Sequence, residues 1–413
     1  MQIRKRQEEF LFLSFFVSGQ RYISGKMESI NEEKICLCAL NMIFGYEPRI
    51  ATALVGNLGS ARSVFSLGRE GLREILGPHS RHTGEICDDA LEKARKELEE
   101  ARREGIFFTG RGEPGYPELL MECEDGPAGL YIRGAAPEGC LSGKRDFVSI
   151  VGTRDISGYG KEWCTRIVEA LARSGSRPVI VSGLAYGTDI TAHLAALGSG
   201  LDTIAVMATG ADLVYPASHR RHAKAIAEKQ GSALISDYPL HTGAIPVNFV
   251  RRNRIIAGLS KATVLIESRL RGGGMITARQ AFSYDRELYA LPGRAGDPVS
   301  EGCNWLLRSG MATPVISEKD LVESLGYVFR QEDRHPEKAA ASHYGKSLPE
   351  GKVEEIARVL LIIKRRRNIS LQEITEETGL AYRTVAEITG LLENDGFIRT
   401  DLMQRCSIDR RTI

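Results

Sequence analysis

Six short apolar runs, separated by turns and helical stretches, organise the middle of this 413-residue chain. They cover residues 147–151, 179–181, 203–207, 233–237, 263–267 and 288–291. The first run, residues 147–151, is short, apolar and β-branched, which is typical of a strand in a parallel sheet that is buried on both faces. Because strands that alternate with helices need crossover connections, the pattern predicts an α/β domain with a doubly wound, mainly parallel sheet. The carboxyl ends of its strands would share one rim, where open α/β sheets bind ligands.

A helical region precedes the sheet domain. Apolar residues between positions 30 and 104 have helical spacing, and glycines at 56, 59, 68 and 77 divide the region into short helices. No dense basic cluster occurs there before Arg102. We therefore expect residues 27–104 to form a small helical domain that packs against its neighbour.

The composition changes again after the sheet domain, which we place at residues 105–327. Residues 328–350 are largely polar and predict a linker, and residues 351–413 predict three helices and a strand. That order is typical of a winged helix-turn-helix domain. Its recognition helix carries Arg383 but also Glu387 and Glu393, so contact with a protein and contact with duplex DNA both stay open.

Two of the glycine-rich turns at strand ends are candidates for binding an anion. Gly152-Thr153-Arg154 follows the first strand, and the three glycines 272–274 follow the fifth. A strand, a glycine turn and a helix N-terminus present free backbone N–H groups to an anion. The spacing fits neither the dinucleotide G-x-G-x-x-G pattern nor a P-loop, which argues against NAD and ATP as ligands.

The segment 249–254 adds an aromatic ring, three arginines and an amide within six residues. Arginine offers a planar fork for phosphate oxygens, and phenylalanine can stack on any base, so the segment suits single-stranded nucleic acid. We expect it to open a short helix after a loop at 238–247. The arginines would lie in the first turn, where cations oppose the helix dipole and add no stability. The alternative is a solvated basic turn.

Together these motifs resemble the DNA processing protein A (DprA/Smf) family over roughly residues 105–325. The matching motifs are Gly152-Thr153-Arg154, Ser182-Gly183-Leu184-Ala185, Gly187 with Asp189, Ala192 and His193, Tyr215-Pro216, the run from Arg252 to Ser260, Gly274 with Thr277-Ala278, and Pro292-Gly293. The resemblance implies an extended Rossmann-like domain that binds single-stranded DNA, forms a homodimer and helps load the RecA recombinase during natural transformation. It also implies a helical domain of the SAM or helix-hairpin-helix type at residues 27–104, and a protein that is not an enzyme.

The chain departs from the family pattern at several positions. It has Tyr186 where family members usually carry arginine, Asp237 where they carry glutamate, and Val250 where they carry proline. The glycines 272–274 replace a Ser-Gly-Ser sequence. Tyr186 removes a possible phosphate contact, but a tyrosine can still hydrogen-bond to phosphate or stack on a base.

The predicted nucleic-acid site combines these residues. We assign Arg154 as the phosphate clamp, Phe249 as the stacking platform, and Arg251, Arg252 and Arg254 as phosphate contacts, with Asn253 either bound to DNA or bracing the loop. Glycine at 272–274 would let the chain approach the DNA backbone closely. The remaining candidates are Gly152, Thr153, Gly272, Gly273, Gly274, Thr277 and, more weakly, Lys261.

Composition and charge limit the other possibilities. The net charge is only +2, so nucleic-acid binding must depend on local basic patches. The eight cysteines contain no C-x-x-C pair and no zinc-ligand spacing, so we expect reduced thiols in a cytoplasmic protein without metal or cofactor. The sequence contains no run of eighteen apolar residues, so it predicts no membrane-spanning helix.

Two weaker patterns have simpler explanations. Glu267 with the glycines 272–274 resembles the turn of Rossmann-like nucleotide phosphoribohydrolases, but no matching catalytic pair follows the glycines. Asp189 and His193 lie four residues apart on one helix face, which fits acid–base catalysis but also fits a helix cap and a buried histidine. Residues 1–26 imitate a signal peptide without a clear cleavage site, and we expect a dispensable, poorly ordered extension before Met27.

Overall fold

The computed structural model describes residues 31–141, 145–329, 336–345, 347–366, 368–401 and 403–408. The chain divides into two compact units, Met1–Phe329 and Arg330–Ile413. The predicted extension at residues 1–26 lies outside the described residues.

Short helices open the first unit: α1 (Glu32–Ile43), α2 (Pro48–Leu58), α3 (Ala61–Ser66), α4 (Arg69–Leu76) and α5 (Asp88–Arg103). The buried Asn41 side chain joins α1 to the sheet domain, because it donates to the Asp237 carbonyl at 2.7 Å and accepts from the Gly129 N–H at 3.2 Å. The apolar core of these helices continues into Tyr131 and Leu240. The helices therefore pack directly against the sheet domain.

Among the described residues of the first unit, nine strands form one sheet: β1 (Phe107–Gly110), β2 (Gly129–Arg133), β3 (Phe147–Val151), β4 (Val179–Ser182), β5 (Thr203–Val206), β6 (Ala233–Ser236), β7 (Ala262–Leu265), β8 (Glu287–Ala290) and β9 (Thr313–Pro314). Their order is β1-β2-β6-β5-β4-β3-β7-β8-β9. β1 is antiparallel to β2, and β2 is antiparallel to β6. Each of the other neighbouring pairs in this order is parallel. The prediction of a mainly parallel α/β sheet is confirmed, and all six predicted strands form within two residues of their expected bounds.

Helices cover both faces of this sheet. They are α6 (Glu118–Met121), α7 (Gly158–Arg173), α8 (Thr188–Gly198), α9 (Arg220–Glu228), α10 (Pro246–Leu259), α11 (Gly273–Ser283), α12 (Glu301–Arg308) and α13 (Glu318–Ser324). Alternate residues of β3 pack on opposite sides: Val148 and Ile150 contact the core beneath α7 and α8, while Phe147 and Val151 contact the core beneath α10 and α11. This two-sided burial explains why the strands are continuously apolar. None of the described helices is both long enough and apolar enough to cross a membrane.

The strand order reverses direction between β3 and β7. From β3 the chain continues through α7 to β4 on one side, while β7 pairs with β3 on its other side. The loops after these two strands diverge to opposite faces of the sheet and leave a crevice at their carboxyl ends, the usual ligand position of open α/β sheets.

The second unit contains α14 (Pro336–Tyr344), α15 (Glu350–Arg366), β10 (Ile369–Ser370), α16 (Leu371–Thr378), α17 (Tyr382–Asn394), β11 (Ile398–Thr400) and β12 (Arg405–Ile408). Its strands are antiparallel in the order β10-β12-β11. Ser370 and Glu373 form a capping box at the start of α16, and Gly379 ends that helix in the left-handed conformation. Both local signals are readable in the sequence.

The predicted linker at 328–350 needs a correction, because it contains the helix α14. Ala340 and Tyr344 are four residues apart and are buried in the core of the second unit. The Tyr344 hydroxyl also donates to the Asp395 carboxylate at 2.5 Å. An alanine-rich polar stretch can thus form a packed helix when two of its residues present one apolar face.

Candidate nucleic-acid interface

A cavity of about 460 Å³ occupies the crevice between the ends of β3 and β7. Four segments line it: the β3 loop, Ala185 and Asp189 after β4, residues 249–256 of α10, and the β7 loop with the start of α11. Of the predicted site residues, the cavity lining includes Gly152, Thr153, Arg154, Phe249, Arg252, Asn253, Gly272, Gly273, Gly274 and Thr277. Gly152 and Thr277, which are 125 positions apart in sequence, therefore line one cavity, as expected if the carboxyl ends of the parallel strands share one rim. Contact with nucleic acid stays a prediction for each of them.

The β3 loop is held from two sides by backbone hydrogen bonds. The Thr153 N–H donates to the Glu267 carbonyl at 2.7 Å, and the Thr153 carbonyl accepts from the Thr188 N–H at 3.1 Å. A Cβ at Gly152 would overlap the Thr188 side chain and the Glu267 carbonyl, so only glycine fits this close approach. The loop is thus a rigid mount for the next residue, Arg154.

Arg154 is exposed at the mouth of the cavity. Its guanidinium lies 5.4 Å from the centroid of the Phe249 ring, within the range of a cation–π contact. No ion pair to Arg154 occurs among the described residues. The arrangement offers a cation for a phosphate beside an aromatic ring for a base.

Glu267 supports the same loop in a way that differs from our expectation. We expect its carboxylate to accept hydrogen bonds from the glycines 272–274, but it instead accepts from the Ser157 N–H at 2.9 Å and the Ser157 hydroxyl at 2.5 Å. Glu267 is almost fully buried. Its role is to tie the β3 loop to the β7 loop.

The first turn of α11 forms the other wall of the cavity. Gly272 is the N-cap, and Gly273 and Gly274 are the first helical residues. The free N–H groups of a first helical turn and the positive end of the helix dipole both favour an anion. Thr277 is buried below them, and its hydroxyl is 3.5 Å from the Gly273 carbonyl.

Helix α10 begins at Pro246, three residues before Phe249, so the arginines lie in its second and third turns rather than its first. Arg252 is 4% exposed and forms part of the cavity lining, but its guanidinium donates to the Gly183 carbonyl at 2.5 Å and to the Val206 carbonyl. These carbonyls follow β4 and end β5. Arg252 therefore braces the sheet, and its guanidinium is not free to clamp a phosphate.

Arg254 is also unavailable to DNA. It is 5% exposed and forms an ion pair with Asp237, which is 3% exposed. A second hydrogen bond runs from the Arg254 guanidinium to the Asp125 carbonyl at 2.7 Å. The pair belongs to the protein core.

One predicted phosphate contact, Arg251, and the weaker candidate Lys261 lie away from the cavity. Arg251 points to the N-terminal helices, where it donates to the Gly45 carbonyl at 2.8 Å and lies 4.7 Å from the Tyr46 ring centroid. Lys261 precedes β7, at the opposite edge of the sheet, and pairs with Asp146 at 3.0 Å. The sequence shows that these cations are present. It does not show where the helix of Arg251 begins, and that start decides the direction of the Arg251 side chain.

The pair Asp189 and His193 has structural roles. Burial raises the pKa of Asp189, whose carboxylate accepts from the Ala185 N–H at 3.3 Å, and burial lowers the pKa of His193 to about 3. His193 is fully buried and hydrogen-bonded to the Thr203 hydroxyl at 2.7 Å. The N-cap of α8 is Gly187, not Asp189. Within the described residues no group of three or more His, Cys, Asp or Glu could hold a metal ion.

Two residues near the cavity were not among the predicted site residues. Arg269 lines it and is exposed, and Tyr215 contacts the Phe249 ring with 5.3 Å between the ring centroids. Arg269 precedes the glycine turn, a position that signals a loop cation. Tyr215 lies more than thirty residues from Phe249, so only the fold reveals their contact.

Comparisons with known proteins identify relatives of this chain. A family model described as DNA recombination-mediator protein A matches residues 107–326. The Protein Smf of Escherichia coli (strain K12) is 41% identical over 213 residues, which are 51% of this chain and 54% of that protein. The chain thus spans about half the length of this relative. The DNA processing protein DprA of Bacillus subtilis (strain 168) is 34% identical over 224 residues, which are 54% of this chain and 73% of that protein.

A solved structure is similar over a larger part of the chain. The X-ray structure of DNA processing protein A (DprA) from Streptococcus pneumoniae matches with a TM-score of 0.58 and 27% identity. The match covers 73% of this chain and 99% of that one.

Proposed function

The chain belongs to the DNA recombination-mediator protein A family, and on that premise we propose that it binds single-stranded DNA in the cavity between β3 and β7. The single observation that carries this proposal is the exposed Arg154 guanidinium beside the Phe249 ring, opposite the glycine turn that begins α11. A backbone phosphate would lie between Arg154 and the N–H groups of that turn. A neighbouring base would stack on the exposed aromatic surface, which requires an unpaired base.

Binding to a single strand and to a duplex of the same sequence, each over a series of salt concentrations, tests this proposal. We expect the single strand to bind at least about tenfold more tightly, because stacking is worth about 1–3 kcal/mol per base and a duplex keeps its bases paired. Affinity should change little with base composition. Equal affinity for the duplex would contradict the proposal and would favour a duplex-binding role for the second unit.

Replacing Arg154 by alanine should weaken single-strand binding without changing the fold, because the side chain is exposed. The slope of log affinity against log salt should decrease by about 0.7, the value for one phosphate contact on a single strand. Arg103 is a matched control, since it is an exposed arginine at the end of α5. An unchanged slope in a folded Arg154→Ala variant would show that Arg154 does not contact a phosphate.

We propose further that the second unit is a winged-helix domain and that residues 27–104 form a SAM-like or helix-hairpin-helix-like domain. The capped helix α16, the helix α17 and the hairpin of β11 and β12 support the first assignment. The close packing of α1 on the sheet supports a bracing role for the second. The family resemblance extends the proposal to a homodimer that protects incoming DNA and helps load RecA in the cytoplasm.

A chain that ends after Phe329 should retain single-strand affinity to within about twofold, because the proposed site lies wholly in the first unit. Truncation there avoids dividing the second unit, whose core includes residues of α14. Folding is checked by circular dichroism and binding by fluorescence anisotropy. If the truncated chain folds but no longer binds single strands, the DNA site requires the second unit and the prediction is wrong.

We propose that the protein catalyses no reaction. The buried Asp189 and His193 hold their own backbone and side-chain partners, and Glu267 is occupied by Ser157. Release of free base from a nucleoside monophosphate by the wild type, and its loss in Glu267→Gln, would instead support a phosphoribohydrolase.

A further inference from the structure

The aromatic surface at the cavity mouth continues beyond Phe249. Phe249 is only partly exposed and already contacts the Arg154 guanidinium, whereas Tyr215, 5.3 Å from it between ring centroids, is 50% exposed. The two rings meet edge to face, at an angle of 62°. A base that follows the one at Phe249 would therefore find the open ring surface on Tyr215.

A second tyrosine is displayed on the neighbouring loop. Tyr186 is 50% exposed, and the following residue, Gly187, packs so closely against the Thr153 and Arg154 carbonyls that no Cβ would fit there. The Tyr186 hydroxyl is 2.9 Å from the Ser218 hydroxyl. Its ring also contacts that of His219, with 4.8 Å between the centroids. Tyr186 is thus held beside the Arg154 loop while its ring faces solvent.

The loop that carries Tyr186 has an unusual backbone. Leu184 has a φ of 57°, in the left-handed region that residues with a Cβ rarely adopt. Its carbonyl oxygen is 2.8 Å from His219 Nδ1, and this contact holds the loop against the turn that precedes α9. Such strained loops concentrate at functional sites, and here the residue displayed two positions later is Tyr186.

Cations continue this surface at the start of α9. Arg220 and Arg221 are exposed, and neither has an ion-pair partner within the part of the chain that the structure describes. Both lie in the first turn of a helix, where positive charge opposes the helix dipole, so helix stability does not explain them. The hydrogen bond between Tyr186 and Ser218 places this turn next to the aromatic surface.

These residues follow the order of the sheet. The glycine turn comes after β7, Arg154 after β3, Tyr186 after β4, and Tyr215 after β5, and these four strands are consecutive neighbours. Three spacings of about 4.8 Å between strands give a rim about 14 Å long. This is a path for several nucleotides rather than a pocket for one.

We infer that a bound single strand leaves the cavity and continues along this rim, with bases on Tyr186 and Tyr215 and phosphates on Arg220 and Arg221. We name these four residues the rim track. The inference rests on the proposed function, because it extends the same DNA site. It also gives the exposed ring of Tyr186 a role of its own, as a base platform.

The test uses the full chain with two ligands: thymidine 5′-monophosphate, which occupies the cavity alone, and a long strand, an oligothymidylate of about sixteen nucleotides. Tyr186→Ala and Tyr215→Ala should each weaken binding of the long strand by at least about fivefold, the smallest effect expected for a lost stacked base. Tyr186→Ala should leave binding of the mononucleotide unchanged, because the cavity alone holds it. Tyr215→Ala also removes a ring that packs on Phe249, so the mononucleotide comparison is made with Tyr186→Ala. Tyr186→Phe and Tyr215→Phe should retain most of the long-strand affinity, because the ring remains.

Two further variants complete the comparison. Phe282→Ala is the matched control, since Phe282 is 51% exposed at the far end of α11, away from the rim. The double variant Arg220→Ser with Arg221→Ser should lower the salt slope for the long strand by about 0.7 per arginine. Thermal unfolding of each variant checks that the fold is retained.

The outcomes separate the rim track from the DNA site itself. If Arg154→Ala weakens binding while the tyrosine variants bind the long strand like the wild type, the strand ends at the cavity and the rim track is refuted. A loss of mononucleotide affinity in Tyr186→Ala as large as its loss of long-strand affinity would also refute it, because Tyr186 would then act on the cavity itself. If no variant, Arg154→Ala included, changes binding, the proposed function fails as well.

Discussion

Replacing Arg254 by alanine is expected to lower the free energy of unfolding by about 3–5 kcal/mol, the usual cost of removing one partner of a buried ion pair. The Asp237 carboxylate, 3% exposed, would remain in the core without its cation. The hydrogen bond to the Asp125 carbonyl would also be lost. Urea unfolding followed by circular dichroism measures the change.

The pH dependence of this loss identifies its cause. Burial raises the pKa of Asp237 already in the wild type, although Arg254 opposes the shift. Without Arg254 the folded-state pKa rises further above the unfolded value, so the stability of the variant is greatest at acid pH and falls as pH rises through the folded pKa. The deficit relative to the wild type should therefore be smaller near pH 5 than near pH 8.

Two variants control this prediction. Arg251→Ala removes the cation three residues earlier on α10, which contacts the Gly45 carbonyl and the exposed Tyr46 ring rather than a buried carboxylate, so a loss below about 2 kcal/mol is expected. Arg254→Met combined with Asp237→Leu should recover much of the stability, because an apolar pair leaves no buried charge. A loss in Arg254→Ala as small as that in Arg251→Ala would contradict the buried-pair assignment.

The strands were predictable from the sequence because both faces of the sheet are covered. Every residue of β3 is buried, so its apolar run is uninterrupted and its bounds are clear. The two-residue strand β9 is exposed and carries no such signal. The helix α14 was missed because its short apolar face, with Ala340 and Tyr344, lies in a polar stretch.

The candidate site was predictable as a place and less so as a set of side chains. Parallel strands end at one rim, so Gly152 and the glycines 272–274 had to meet there. The arginines of α10 differ, since residues in consecutive positions of a helix point in different directions. The helix begins at Pro246, and that phase directs Arg252 and Arg254 into the protein and Arg251 towards the N-terminal helices. A run of cations in a sequence therefore predicts local charge but not its exposure.

Gly273→Glu is expected to abolish most single-strand binding while the fold is retained. A Cβ at Gly273 would meet no atom within 4 Å, so the substitution is sterically free. A glutamate in the first turn of α11 is also favoured by the helix dipole and by helix propensity, so stability should not fall. Two like charges about 5 Å apart at an effective dielectric constant of about 20 repel by about 3 kcal/mol, or roughly 150-fold in affinity.

Gly273→Gln separates charge from size in this experiment. Glutamine has nearly the same shape as glutamate but no charge. The Gly273→Gln protein should therefore bind a single strand far more tightly than the Gly273→Glu protein. The difference between the two should shrink at high salt, because the variant position is exposed and its charge is screened. If both variants lose affinity equally, the cause is steric, and if both bind like the wild type, no phosphate lies at the start of α11. Only a selective loss in the glutamate variant supports an anion held between this turn and Arg154, the arrangement on which the proposed DNA site depends.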